Sequence, residues 1–235
     1  MKNIHAQESG RSMIEILGVL AVIGVLSVGG IAGYSHAMSK YKINKTIDQM
    51  QTMAQNIRTL FASQKNYEGV DSKANPKMLY AAGILTDENC PDGCSTTPIN
   101  PYGGVIAIGF TKDDENHSKR GFAIAFSGLP SDVCTRLATQ NWGDATSGLI
   151  AVEAKSTNVA SISKDASIPG NEKPQNNNNI ALPFQKSVVA KVAPMETTGS
   201  SVALTKNAAV PMSLSAATTG CGTGGNTSSL TLYYK

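Results

Sequence analysis

At 235 residues the chain is long enough to bury a core of its own outside any membrane segment. Its formal charge of +3 comes from scattered basic residues, which excludes the clustered cationic footprint of a nucleic-acid-binding or polybasic membrane-surface protein. Low aromatic (6%) and charged (16%) fractions, with abundant Gly, Ser, Thr, Ala and Asn, point to a secreted, loop-rich surface protein rather than a metabolic enzyme.

The first element is residues 16–39, a run without Asp, Glu, Lys or Arg that begins directly after Glu15. About 20 helical residues span the hydrocarbon of a bilayer, so the run is long enough to cross one. A plain signal anchor is one reading. A cleaved secretory signal is another, with Ser35-His36-Ala37 as its small-x-small site; against it, the run exceeds the ~7 to 15 residues of a signal core, and Glu15 stands where such a core would start. Lys2 and Arg11 before the run and Lys40, Lys42 and Lys45 after it leave its orientation open. An acid at membrane depth costs several kcal/mol unless paired, so Glu15 requires a partner, and the run holds no base. Cleavage between Gly10 and Arg11 would create an α-amino group upstream of Glu15. That cation could meet Glu15 of a neighbouring chain as helices bundle.

Gly10 followed by Arg11-Ser12-Met13-Ile14-Glu15 and a long apolar helix resembles the processing motif of type IV pilins and pseudopilins. The resemblance implies that prepilin peptidase cuts after Gly10, making Glu15 the fifth mature residue. It further implies a precursor in the bacterial inner membrane, handled there by the pilus assembly machinery. The product would be an extracellular homo-oligomeric helical filament, without nucleic acid or cofactor. Arg11 departs from the apolar residue usual after the Gly and bears on cleavage and on the family's N-methylation. The fold implied is α+β, a long N-terminal helix on an antiparallel sheet. Its parts are a leader (1–10), an apolar assembly half (11–39), an amphipathic half (40–65) and a disulfide-containing head (66–235).

Past Lys40, Ile43, Ile47, Met50, Ala54, Ile57 and Phe61 alternate steps of four and three, which predicts a helix with one buried face. The pattern is too short for a coiled coil and suits packing on the chain's own domain. Joined to the apolar half it predicts one helix of about 50 residues, near 75 Å long. Gly18, Gly24, Gly29, Gly30 and Gly33 allow close helix approach, and Gly29-Gly30 is the expected place for a kink on assembly.

In the remainder, "PKMLYAA" (76–82) predicts a short helix opened by Pro76 and stopped at Gly83. "NPYGGVIAIGF", "GFAIAFSGL" and "GLIAVEA" read as strands. In the first two, Ile106, Ile108 and Phe110, then Phe122, Ile124 and Phe126, alternate with small residues, giving a sheet one bulky face to cover the helix stripe. "TKDDENHSKR" between them reads as an exposed loop. "LPSDVCTRLATQNW" is a short helix opened by Pro130, with Asp132 near its positive end. From about Glu153 to Asn179 the polar composition predicts a surface loop or partly disordered insert. "KSVVAKVAP" and "SSLTLYYK" supply two further strands.

Cys90, Cys94, Cys134 and Cys221 all follow the apolar run. An even count in an exported domain favours disulfides over zinc, because Cys134 and Cys221 stand apart from any paired ligand. Three connectivities are open, among them a small Cys90–Cys94 clasp around Pro91-Asp92-Gly93. Here again there is a resemblance. Asn100-Pro101-Tyr102-Gly103-Gly104 and Leu129-Pro130-Ser131-Asp132-Val133-Cys134 are similar to two landmarks of type IVb major pilins. The resemblance pairs Cys134 with Cys221, closing a loop worth about 4.5 kcal/mol in the chain-entropy model. It also places surface recognition between those two cysteines. The leader is short for the type IVb class.

Enzyme motifs fail their context tests. Gly220-Cys221-Gly222-Thr223-Gly224-Gly225 matches GxGxxG, but the ten residues after it leave no room for a crossover helix. His5 lies in the leader, His36 at the end of the apolar run, and His117 in a charged loop, so no nucleophile and base arrangement emerges. A structural pilus subunit is the leading expectation. A minor pilin or type II secretion pseudopilin is the alternative within the class, and a membrane-anchored or secreted binding protein the alternative outside it.

Overall fold

The computed structural model describes residues 13–111, 119–143, 147–162, 187–191, 208–209 and 211–235, the backbone alone at 187–191 and 208–209. The chain divides into two compact units, Met1–Lys42 and Ile43–Lys235. A single helix, α1 (Met13–Phe61), contains Gly29 and Gly30 within its span. After it come α2 (Pro76–Ala81), β1 (Ile106–Thr111), β2 (Gly121–Leu129), α3 (Ser131–Ala138), β3 (Leu149–Lys155), β4 (Ser187–Lys191), β5 (Ala208–Ala209), α4 (Leu214–Cys221) and β6 (Ser228–Tyr234). This is the α+β architecture expected.

In the second unit the helix stripe is buried at Ile43, Met50, Ala54, Ile57 and Phe61, as the periodicity predicts. Thr46 and Met53 are buried as well and Ile47 only partly, so the stripe is wider than the apolar positions alone suggest. The strands form one sheet in the order β1-β2-β6-β3-β4-β5, antiparallel throughout except for the parallel β4–β5 pair. Ile106, Ile108 and Phe110 stand directly opposite Phe126, Ile124 and Phe122. Leu230 and Leu232 continue that bulky face across β6, and Val152 and Ala154 across β3. All of these but Phe110, which is buried apart from it, share one core cluster with the α1 stripe and with Val133, Leu137 and Ala217 of α3 and α4. At the end of α1, Phe61, Tyr67, Phe122 and Tyr234 form a file of rings with centroids 5.6, 4.9 and 5.2 Å apart, joining the helix to β2 and β6.

Apart from the Tyr233 ring, the opposite face is built from small and polar residues, Ala107, Gly109, Ala123, Ala125, Ser127, Thr231 and Ser229, and it too is buried. The single covered face expected from alternation is therefore a sandwiched sheet, because chain that continues from β3 lies across the small side. A Cβ on Gly109 would stand 2.6 Å from the Ile162 Cβ, so only glycine fits beneath that crossing. Where the strand read at "GLIAVEA" and the polar loop expected from about Glu153 overlap, the strand holds, and the surface-loop expectation is corrected to start after it. Glu153 belongs to β3 and is 2% exposed, its carboxylate accepting from Tyr233 Oη (2.8 Å) and pairing with Lys155 Nζ (3.1 Å). A polar sequence is compatible with a buried strand when each charge finds such partners. The rest of that polar tract, 163–179, lies outside the described residues, as does most of the "TKDDENHSKR" connection.

Candidate functional site

Two features can carry function: the apolar half of α1, and the region tied by the cysteines. Between Met13 and Ser39 of α1, Glu15 is the only Asp, Glu, Lys or Arg. It is the third described residue of α1. Around it Ile14, Leu17, Val19, Leu20, Val22 and Ile23 are all more than half exposed, and the helix is long and apolar enough to cross a membrane. Surface of that kind requires lipid or other apolar helices, since soluble proteins rarely leave so large an apolar patch open. Gly10 and Arg11 lie outside the described residues.

The cysteines form two disulfides, Cys90–Cys94 and Cys134–Cys221. All four are nearly inaccessible, at 2% exposure or less. The second bridge joins α3 to the last residue of α4, and Ser228 Oγ at the start of β6 donates back to Cys221 O (2.8 Å). Helix α4 was not expected: "LSAATTGC" lacks an apolar period, and the signal available was Ser213, whose hydroxyl accepts from Ala216 N (3.3 Å) as an N-cap. The two-residue β5 was also missed.

The Asn100-Pro101-Tyr102-Gly103-Gly104 turn is organised by its asparagine. Asn100 is 4% exposed; its Oδ1 accepts from Tyr102 N (2.9 Å) and Gly104 N (3.2 Å), and its Nδ2 donates to Ser127 O (2.7 Å). Gly103 has φ +78° and Gly104 has no room for a Cβ, which would fall 1.8 Å from Ser127 O. The motif therefore clamps the entry of β1 onto the bulge of β2. Beside it, burial and the nearby Asp132 carboxylate raise the Tyr102 hydroxyl to about 12, against the opposing Arg136. Among the described residues no group of His, Cys, Asp and Glu is placed to hold a metal.

A family model described as Bundlin matches residues 36–159. Two curated relatives, each named "Major structural subunit of bundle-forming pilus", are 26% identical over 159 residues, 68% of this chain and 78% of theirs. They come from Escherichia coli O111:H- and from Escherichia coli O127:H6 (strain E2348/69 / EPEC). A crystal structure of TcpA, a type IV pilin from Vibrio cholerae El Tor biotype, superposes with a TM-score of 0.43 at 14% identity, covering 83% of this chain and 99% of that one.

Proposed function

The chain belongs to the Bundlin family, and from that premise we propose that it is a structural subunit of a type IV pilus, polymerised through the apolar half of α1. The observation that carries this reading is a membrane-length exposed apolar helix headed by one carboxylate. The precursor is held in the bacterial inner membrane by residues 11–39 and trimmed after Gly10 by a prepilin peptidase. The assembly machinery then draws it into an extracellular homo-oligomeric filament, the head (66–235) outward. In the filament Glu15 pairs with the α-amino group of a neighbouring chain. An isolated acid in lipid is costly, and a pairing available only between copies makes that cost a registering force. Relatives that are structural pilus subunits support a non-enzymatic role.

The test is Glu15→Ala in the expressed chain. Membrane insertion and the mature N-terminus, read by mass spectrometry, are expected unchanged, while filaments seen by electron microscopy are lost. Normal filaments from this variant would refute the pairing. An intact Met1, or an N-terminus at Met38, would refute the pilus reading itself in favour of an anchor or a secreted domain.

A further inference from the structure

Ladder hydrogen bonds lie in the plane of a sheet, so a segment running across the strands cannot use them. Residues 156–162 cross the small-residue face in this way, and none of them belongs to a strand. At β6 and the residue just before it, Ser156 O accepts from Thr227 Oγ1 (3.3 Å) and Thr157 O from Ser229 Oγ (2.7 Å). At β2, Asn158 Oδ1 accepts from Gly128 N (2.9 Å). The Ser127 hydroxyl holds one residue at both its backbone groups, donating to Val159 O (2.5 Å) and accepting from Val159 N (3.3 Å). At β1, Ile162 rests on Gly109. The preceding residue, Lys155, is still in register with Ser187 and Ser229, so regular pairing stops at Ser156.

The crossing also walls a cavity of about 440 Å³. Its lining includes Asn158 and Ala160 of the crossing, the Tyr102–Gly104 turn and the Ser127–Gly128 bulge. Chain held by side-chain bonds and one apolar contact opens at lower free energy than laddered strands, whose bonds break together.

We propose that residues 156–162 form a strap that opens about Ser156 while the sheet stays intact, baring the Ala107–Gly109–Ala123 strip and one wall of the cavity. Ser127 is its principal catch. It meets the strap midway between the β6 attachments and the β1 contact, and it alone satisfies both a donor and an acceptor of the strap.

Hydrogen exchange read by mass spectrometry on the full chain in detergent micelles tests this. Peptides covering 156–162 are expected to exchange at rates independent of urea below the unfolding transition, whereas β2 and β6 peptides depend steeply on it. Ser127→Ala is expected to speed exchange of the 156–162 peptide about thirtyfold and leave β2 and β6 unchanged, the size of two lost hydrogen bonds at about 1 kcal/mol each. The proposal is overturned if strap and strands share one urea dependence, or if Ser127→Ala accelerates all of them alike. Should that variant fail to fold, Ser229→Ala serves the same comparison, and the urea dependence of the unmodified chain still decides.

Discussion

The two disulfides offer a quantitative contrast, because their burial is alike and their loops are not. Cys134–Cys221 closes a separation of 87 residues and Cys90–Cys94 a separation of 4. In the chain-entropy model the difference between the bridges is 1.5RT times the logarithm of that ratio, about 2.7 kcal/mol, on top of about 2 kcal/mol for the short loop. Replacing each pair by serine leaves buried hydroxyls in both cases, so that common cost cancels in the comparison. Trp142 is a suitable reporter: it is the only tryptophan, 5% exposed, and its Nε1 donates to Leu137 O (2.8 Å) at the end of the helix bearing Cys134. Urea titrations followed by its fluorescence, compared near the wild-type midpoint to avoid long extrapolation, should show the Cys134→Ser/Cys221→Ser chain losing about 2.7 kcal/mol more stability than Cys90→Ser/Cys94→Ser. Equal losses, or a larger loss for the short clasp, would refute the loop-length account and assign the bridges' value to local packing.

Gly109→Ala should destabilise the head by about 1–3 kcal/mol through overpacking, and Ile162→Ala in the same chain should recover part of it, a coupling above about 0.5 kcal/mol in a double-mutant cycle. Asn100→Ala strips partners from Tyr102 N, Gly104 N and Ser127 O together and should cost about 3 kcal/mol in a urea titration. Asn100→Asp keeps both acceptor bonds and should cost less. Burial raises the Tyr234 hydroxyl to about 12, opposed by Arg58. The unfolded phenol ionises near 10, so the unfolded chain sheds its proton first and stability falls between about pH 10 and 12, by about 1.4 kcal/mol per pH unit. Tyr234→Phe should flatten that part of the stability profile while keeping the ring against Phe122, and an unchanged alkaline loss would count against the assignment.

Periodicity made the helix and most of the sheet legible. The 3.6-residue stripe from Ile43 to Phe61 and the two-residue alternation of β1 and β2 each bury their own bulky set. What periodicity could not convey was the second face, because Gly109 is small for a reason that lies about fifty residues away in Ile162, which also packs on the Ala123 cluster. The burial of Glu153 was hidden for a related reason: its carboxylate is matched by Tyr233, eighty positions along the chain on the adjacent strand β6. Helix α4 hides in a Ser/Thr/Ala/Gly-rich stretch whose only cue is a capping serine. Of the proposed site residues, Gly10, Arg11 and Glu15 were proposed from a motif and from the cost a charge would have in lipid. The partner of Cys134 was implied by resemblance, since spacing alone left three pairings open.

The place of β6 has a consequence for how the chain is made. Strands β2 and β3 do not pair with each other; β6, synthesised after both, fills the gap between them. Until it emerges from the ribosome the sheet is two separate ribbons, β1–β2 and β3–β4, each with a raw edge facing the vacancy. The apolar helix is translated first, so it is complete while the head is still in halves. Oxidation of Cys134 with Cys221 would then bring the last strand to its slot, since Ser228 begins just past Cys221. Biogenesis thus has a vulnerable interval set by connectivity alone, during which an unpaired strand edge is open to a chaperone or to another nascent chain.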